Sequence, residues 1–106
     1  MKRFEVYLVA IDPTRGSEIR KTRPCLVISP DQMNRHLSTV IVAPMTTTRR
    51  GYPTRIEIKF AGKEGDIALD QLRTVDRTRL VRRLGHIDEA LAREVANRLV
   101  ELFAYE

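Results

Sequence analysis

Thr54-Arg55-Ile56-Glu57-Ile58-Lys59-Phe60, then Ala61-Gly62-Lys63-Glu64-Gly65, then Asp66-Ile67-Ala68-Leu69: residues 54–69 read as a β-hairpin. Ile56, Ile58 and Phe60 alternate with charged residues, the period of a half-buried strand. Gly62 and Gly65 read as turn glycines, and 66–69 as a second short strand. Working toward the N-terminus, Thr39-Val40-Ile41-Val42-Ala43 is a strand that ends at Pro44. Thr46–Pro53 after it is a basic polar loop. Cys25-Leu26-Val27-Ile28 is a short buried strand, entered from Pro24, which holds Arg23 extended. Ser29-Pro30-Asp31 breaks it, and 34–38 is a polar connector with at most a helical turn. Phe4–Ala10 is the first strand, with Phe4, Val6 and Leu8 on one face, and residues 12–23 form a long polar loop. Toward the C-terminus, a helical turn is expected over 76–80 and an extended run over 81–87. Asp88 caps a helix from Glu89 to about Phe103 with Leu91, Val95, Leu99, Leu102 and Phe103 on its apolar face. Many short strands with Gly/Pro turns predict a mainly β, α+β fold, a small antiparallel barrel with one C-terminal helix.

The chain of 106 residues suits one domain over 1–106, large enough for a core without disulfides or metal. One Cys excludes an internal disulfide and a Cys-based zinc cluster. No apolar run approaches a membrane span, and the charged N-terminus lacks the apolar segment of a signal peptide, so a cytoplasmic protein is expected. The net charge is +5, unevenly spread. Residues 86–106 carry two cations against five acids, and residues 1–85 carry 17 cations against nine. Fifteen of the 19 cations are Arg, the residue that grips phosphate through two N–H groups at once. A basic body fits a polyanionic partner; a coding bias toward Arg would give the same excess on any surface.

His36 and His86 share no ligand spacing with Cys25, so no metal or other cofactor is expected. Cys25, inside an apolar strand, reads as a buried inert thiol. What remains is polar residues at loop mouths: Glu18, Arg20, Lys21 and Arg23 on the first loop, Thr46 to Arg50 on the second, and Asp70, Gln71 and Arg73 after the fifth strand. On one rim of a barrel, such groups suit phosphate-ester cleavage. A carboxylate takes the ribose 2′-OH proton, and Arg stabilises the doubly charged phosphorane. Solvated surface charge is the plainer alternative.

Four ordered blocks of the chain resemble the MazF/PemK family of toxins. They are Leu8–Glu18 with Arg23-Pro24-Cys25-Leu26-Val27-Ile28-Ser29-Pro30, then Val42-Ala43-Pro44-Met45-Thr46-Thr47, then Gly65–Asp76, and last the Arg-rich run ending Arg83-Leu84-Gly85 with the final helix. The resemblance implies a small SH3-like antiparallel barrel of the CcdB/PemK-like toxin kind, acting as a homodimer. It implies a ribosome-independent, metal-independent, sequence-specific endoribonuclease that cleaves single-stranded mRNA and arrests growth. Attack by the 2′-OH would leave a 2′,3′-cyclic phosphate and a 5′-OH. A cognate acidic antitoxin is implied as partner, with DNA bound only indirectly through the antitoxin complex.

By position, Arg23 and Thr46 fall on the family's catalytic residues, and Glu18 on an assisting acid that Arg23 would keep ionised. Asp70 matches a carboxylate used in one branch. That branch places a His before the Glu and an Arg two residues before the Asp; here Ser17 and Ala68 stand there. Asp70, Ser17 and Gln71 are therefore supporting candidates, and Asp70 as a plain loop anchor stays open. So do Thr46 as a turn cap and Arg23 as an ion-pair partner of Glu18. RNA contacts are expected at Arg15, Arg20, Lys21, Thr47, Thr48, Arg49, Arg50, Tyr52 and Arg73. Two other readings fit the same fold: a toxin that binds gyrase, and an RNA-binding barrel without activity. Gyrase-directed toxins use C-terminal aromatic residues, notably a Trp, whereas this chain has no Trp and ends Phe103-Ala104-Tyr105-Glu106.

Overall fold

The computed structural model describes residues 1–11 and 21–106. Its elements are β1 (Glu5–Ala10), β2 (Thr22–Val27), α1 (Asp31–His36), β3 (Thr39–Thr46), β4 (Arg55–Phe60), β5 (Lys63–Ala68), β6 (Arg73–Asp76), β7 (Leu80–His86) and α2 (Glu89–Phe103). Single 3₁₀ turns occupy Leu69–Gln71 and Arg77–Arg79. All pairings are antiparallel, in the order β4-β5-β3-β2-β1-β7, with β6 on β3. The sheet curls into a half-barrel, because β3 changes partner along its length. Residues 39–42 pair with β6, and Met45 and Thr46 pair with β5.

That exchange explains why Pro44 does not end the strand as expected. Ile28 N–H donates to Ile41 O at 3.0 Å, which sets the parity of the β2–β3 ladder. The Pro44 nitrogen then faces the opposite edge, in the gap after the β6 ladder and before the β5 ladder, where no partner requires an N–H. Pro24 acts the other way. Its nitrogen faces β3, and the β2–β3 ladder stops one residue short of it, at Cys25↔Pro44.

Period-two alternation sends the strands' apolar residues to two faces, and both are buried. One cluster gathers Val6, Leu26, Ala43, Ile56, Ile67 and Leu69 beneath Val95 of α2. The other gathers Val9, Cys25, Val27, Val40, Val42 and Val75. Burying an aliphatic side chain stabilises by about 1.5–3 kcal/mol before conformational entropy is counted.

Several boundaries differ from the sequence expectation. Phe4 has φ +69°, a left-handed turn conformation outside the ladder, so β1 starts at Glu5. Irregularities against β7 after Val6 and before Val9 break the alternation, leaving Leu8 half-buried and Val9 and Ala10 fully buried. β2 begins at Thr22, because Thr22 and Arg23 pair with Ala10 and Val9. The connector is the helix α1, starting at Asp31 and pinned by buried Asn34, whose side chain bonds Ser29. The hairpin turn is only Ala61-Gly62, at φ +51° and +79°, the primed turn that suits twisted strands. Gly65 is therefore not a turn glycine but lies inside β5. β6 was not expected; four residues with one buried side chain leave no legible period. α2 matches its expected span, and Asp88 accepts Leu91 N–H at 2.8 Å. Its last turn runs off the core, with Leu102 37% and Phe103 69% exposed. Among the described residues, no helix is long and apolar enough to cross a membrane.

Candidate active site

Arg23 lies two residues outward from buried Cys25, so its side chain starts from the face of the second cluster, at its open end. Pro44 and Thr46 follow Val42 on that face, and Arg73, paired with Val42, precedes Val75. Carried two residues past its last pair, the β2–β3 register sets Arg23 across from Thr46. A cavity of about 300 Å³ opens here, lined by Ile11, Arg23, Pro44, Gln71 and Arg73. Thr46 does not line this cavity; with Pro24, Met45, Thr47 and Gly65 it borders a second one, of about 310 Å³. The Arg23 and Arg73 guanidiniums both act on the Cys25 thiol. Burial pushes that thiol up to about 12, and the two cations only partly oppose it. Cys25 is buried, as expected, and a thiol so raised is a weak nucleophile.

Thr46 is the last residue of β3, half-buried. Its hydroxyl accepts Thr48 N–H at 3.2 Å, the turn-capping contact foreseen as an alternative. That contact uses a lone pair and leaves the hydroxyl proton free to donate. Thr46 pairs across β5 with Asp66. An added Cβ on Gly65 would sit 1.9 Å from the Thr46 carbonyl oxygen, so only glycine allows this approach of the two strands.

Asp70 does not join the cavity that holds Arg23. Its carboxylate accepts Arg55 Nε at 2.7 Å and Arg55 Nη2 at 3.3 Å, and Thr54 Oγ1 donates to it at 3.1 Å. The Arg55 bond, against a smaller opposing effect of burial, holds the Asp70 carboxyl below its ordinary range. The loop-anchor geometry left open from sequence is the one observed. Asp66, which sequence reading passed over, is 1% exposed and lies 3.9 Å from Arg55 Nη1. Its Oδ2 accepts Arg50 N–H at 3.0 Å. A charged residue inside a strand alternation gives no sign of burial, so no sequence signal marked it.

The remaining candidates spread over two surfaces. Lys21 is exposed before β2, and Thr47 and Thr48 are exposed after β3. Arg49 folds back on the β4–β5 hairpin, donating to Gly65 O at 3.3 Å and Ile58 O at 3.5 Å, with Glu57 and Glu64 just under 4 Å away. Tyr52 is half-exposed, with the Arg55 guanidinium 5.3 Å from its ring centre. Arg15, Ser17, Glu18 and Arg20 lie outside the described residues.

Residues 2–103 match the family model described as PemK-like, MazF-like toxin of type II toxin–antitoxin system. The chain is 36% identical over 103 residues to the Endoribonuclease MazF of Staphylococcus saprophyticus, covering 92% of this chain and 86% of that protein. It superimposes on the crystal structure of MazF from Deinococcus radiodurans with a TM-score of 0.80 at 25% identity, covering 99% of this chain and 97% of that one. Against a MazE–MazF crystal structure from the same organism, the TM-score is 0.83 at 25% identity, covering 100% and 97%.

Proposed function

The chain belongs to the PemK-like, MazF-like toxin family of type II toxin–antitoxin systems, and from that membership we propose that it is an endoribonuclease toxin that cleaves single-stranded mRNA at specific sequences in the bacterial cytoplasm. The likeness to an endoribonuclease over most of the chain supports the activity. What supports the chemistry is that Arg23 lines a cavity with Arg73, and that the β2–β3 register, carried past its last pair, sets Arg23 across from Thr46.

The ribose 2′-OH attacks the adjacent phosphorus, forming the O2′–P bond. The P–O5′ bond then breaks and the departing oxygen takes a proton from water, leaving a 2′,3′-cyclic phosphate and a 5′-OH. Glu18 takes the 2′-OH proton as general base. Arg23 clamps the phosphorane, where two negative oxygens develop. The Thr46 hydroxyl donates a hydrogen bond to a phosphate oxygen. Arg73 and Gln71, which line the same cavity, contact the neighbouring backbone. The nucleophile comes from the substrate, so no metal is needed to generate it.

A homodimer with RNA across its face, and an acidic antitoxin segment competing for the same cationic groove, complete the reading; the MazE–MazF likeness supports the antitoxin. The test incubates the pure protein with a long single-stranded RNA in excess chelator and maps the ends. Discrete cuts with 5′-OH ends are expected, and a 2′-deoxyribose at the scissile position should block them. Metal-dependent cuts with 5′-phosphate ends would overturn the mechanism, and intact RNA would leave a non-catalytic toxin. Sedimentation at micromolar concentration checks the dimer.

A further inference from the structure

We propose that Asp66, with Arg55 and Asp70 behind it, is the positioning residue that holds Thr46 and the segment after it in place for the reaction. The proposal rests on the catalytic reading of Thr46 given above. Residues 47–51 are all exposed, so no core contact holds the chain where it leaves β3. Polar ties hold it instead: the Arg49 side chain donates to Gly65 O and Ile58 O, and the other ties converge on one cluster. At the start, Thr46 pairs with Asp66 across β5, and Gly65 lets that strand press against the Thr46 carbonyl. In the middle, Arg50 N–H donates to Asp66 Oδ2 at 3.0 Å. At the end, Thr54 Oγ1 donates to Asp70 Oδ1, the oxygen that also accepts Arg55 Nε.

The cluster is built at some cost. Asp66 is 1% exposed and the Arg55 side chain 7%. Among the described residues, Asp66 Oδ1 has no hydrogen-bond partner. A buried carboxylate so incompletely satisfied is a poor stabiliser, and an apolar residue would pack there with less penalty. What an apolar residue could not supply is an acceptor for Arg50 N–H. Arg55, with Nη1 3.9 Å from Asp66 Oδ2, also donates to both oxygens of Asp70, which in turn holds Thr54. The hydroxyl of Thr46 is in turn set by Thr48 N–H, inside the segment these ties define.

The test is a mutant cycle on RNA cleavage, with kcat and KM measured separately. Asp66→Ala is expected to lower kcat about tenfold or more with KM little changed, as misplacing a reacting group does. Asp66→Asn, which keeps an acceptor oxygen, should recover part of the loss. In a Thr46→Val background, Asp66→Ala should cost little further, because both changes disable the same group. A folded Asp66→Ala protein with wild-type kcat, or losses that multiply independently with Thr46→Val, would overturn the proposal. If Asp66→Ala does not fold, Asp70→Asn weakens the cluster from its solvent side. Hydrogen exchange at the Arg50 amide should then accelerate, and unchanged exchange would equally overturn the proposal. That measurement needs no activity. Wild-type protein that leaves RNA intact therefore refutes the endoribonuclease reading, while Arg50 exchange still decides whether the cluster holds the segment.

Discussion

Arg23, a catalytic candidate in the sequence, and Asp70, a supporting one, diverge further once their neighbours are known. Both are charged, at loop mouths, inside blocks that resemble one family. Arg23 opens on a cavity beside a second guanidinium, an arrangement that suits an anion. Asp70 gives both oxygens to Arg55, which leaves it poorly placed to take a proton from RNA. Replacing Arg23 by Ala should lower single-turnover cleavage by ~10²-fold, the usual loss of one transition-state donor. Arg23→Lys should recover only part of it, since an ammonium cannot span two phosphate oxygens. Near-wild-type turnover in Arg23→Ala would remove Arg23 from the reaction. The sequence marked Arg23 through the Arg-Pro pair. The sequence left Asp70 open as a loop anchor, but its partner was not legible, because Arg55 lies 15 residues away in sequence and meets it only through the β4–β5 pairing.

At the scale of elements, α2 was the most legible. Its apolar residues recur at helical spacing, and Asp88 stands where a cap belongs. Asp88→Ala should destabilise the fold by about 1 kcal/mol, measured as a lower urea midpoint with unchanged slope. No change would mean that the cap is redundant. β5 was less legible, since glycine reads as a turn signal wherever it falls. Gly65→Ala must push β5 away from the Thr46 carbonyl, 1.9 Å from the new Cβ. A loss of about 1–3 kcal/mol in stability is expected, the usual range for overpacking. Slower cleavage at saturating RNA should accompany it. A variant as stable and active as the parent would show that the contact relaxes without consequence.

For the whole molecule, charge links the fold to pH. Burial raises the Glu5 carboxyl, but Arg83, bonded through Nε, and the Lys2 N–H together lower it from its ordinary 4.5. Asp70, held chiefly by Arg55, lies below its ordinary 3.8. A carboxyl lowered in the folded state binds protons more readily when unfolded, so it stabilises the fold above the unfolded pKa. Stability from these two groups should therefore be complete near neutrality. It should decline as pH falls below about 4.5 and be lost as pH passes the folded values. Urea midpoints between pH 7 and pH 3 check this, and Asp70→Asn should flatten the acid side of the curve. A midpoint indifferent to Asp70→Asn would show that the Arg55 pair adds no net stability.

What the sequence determined alone is what local periodicity and composition can carry: the short strands, the capped helix, the inert Cys25, the basic body and the ordered family blocks. These follow from alternation, turn chemistry and helical spacing, which neighbouring residues set among themselves. Only the tertiary structure decided that β3 runs through Pro44, because that depends on which partner strand lies at each point of its edge. It alone put Arg23 and Arg73 on one cavity. It alone buried Asp66 between Arg50 and Arg55. Burial and charge pairing are properties of chain segments far apart in sequence, and no period within one segment records them.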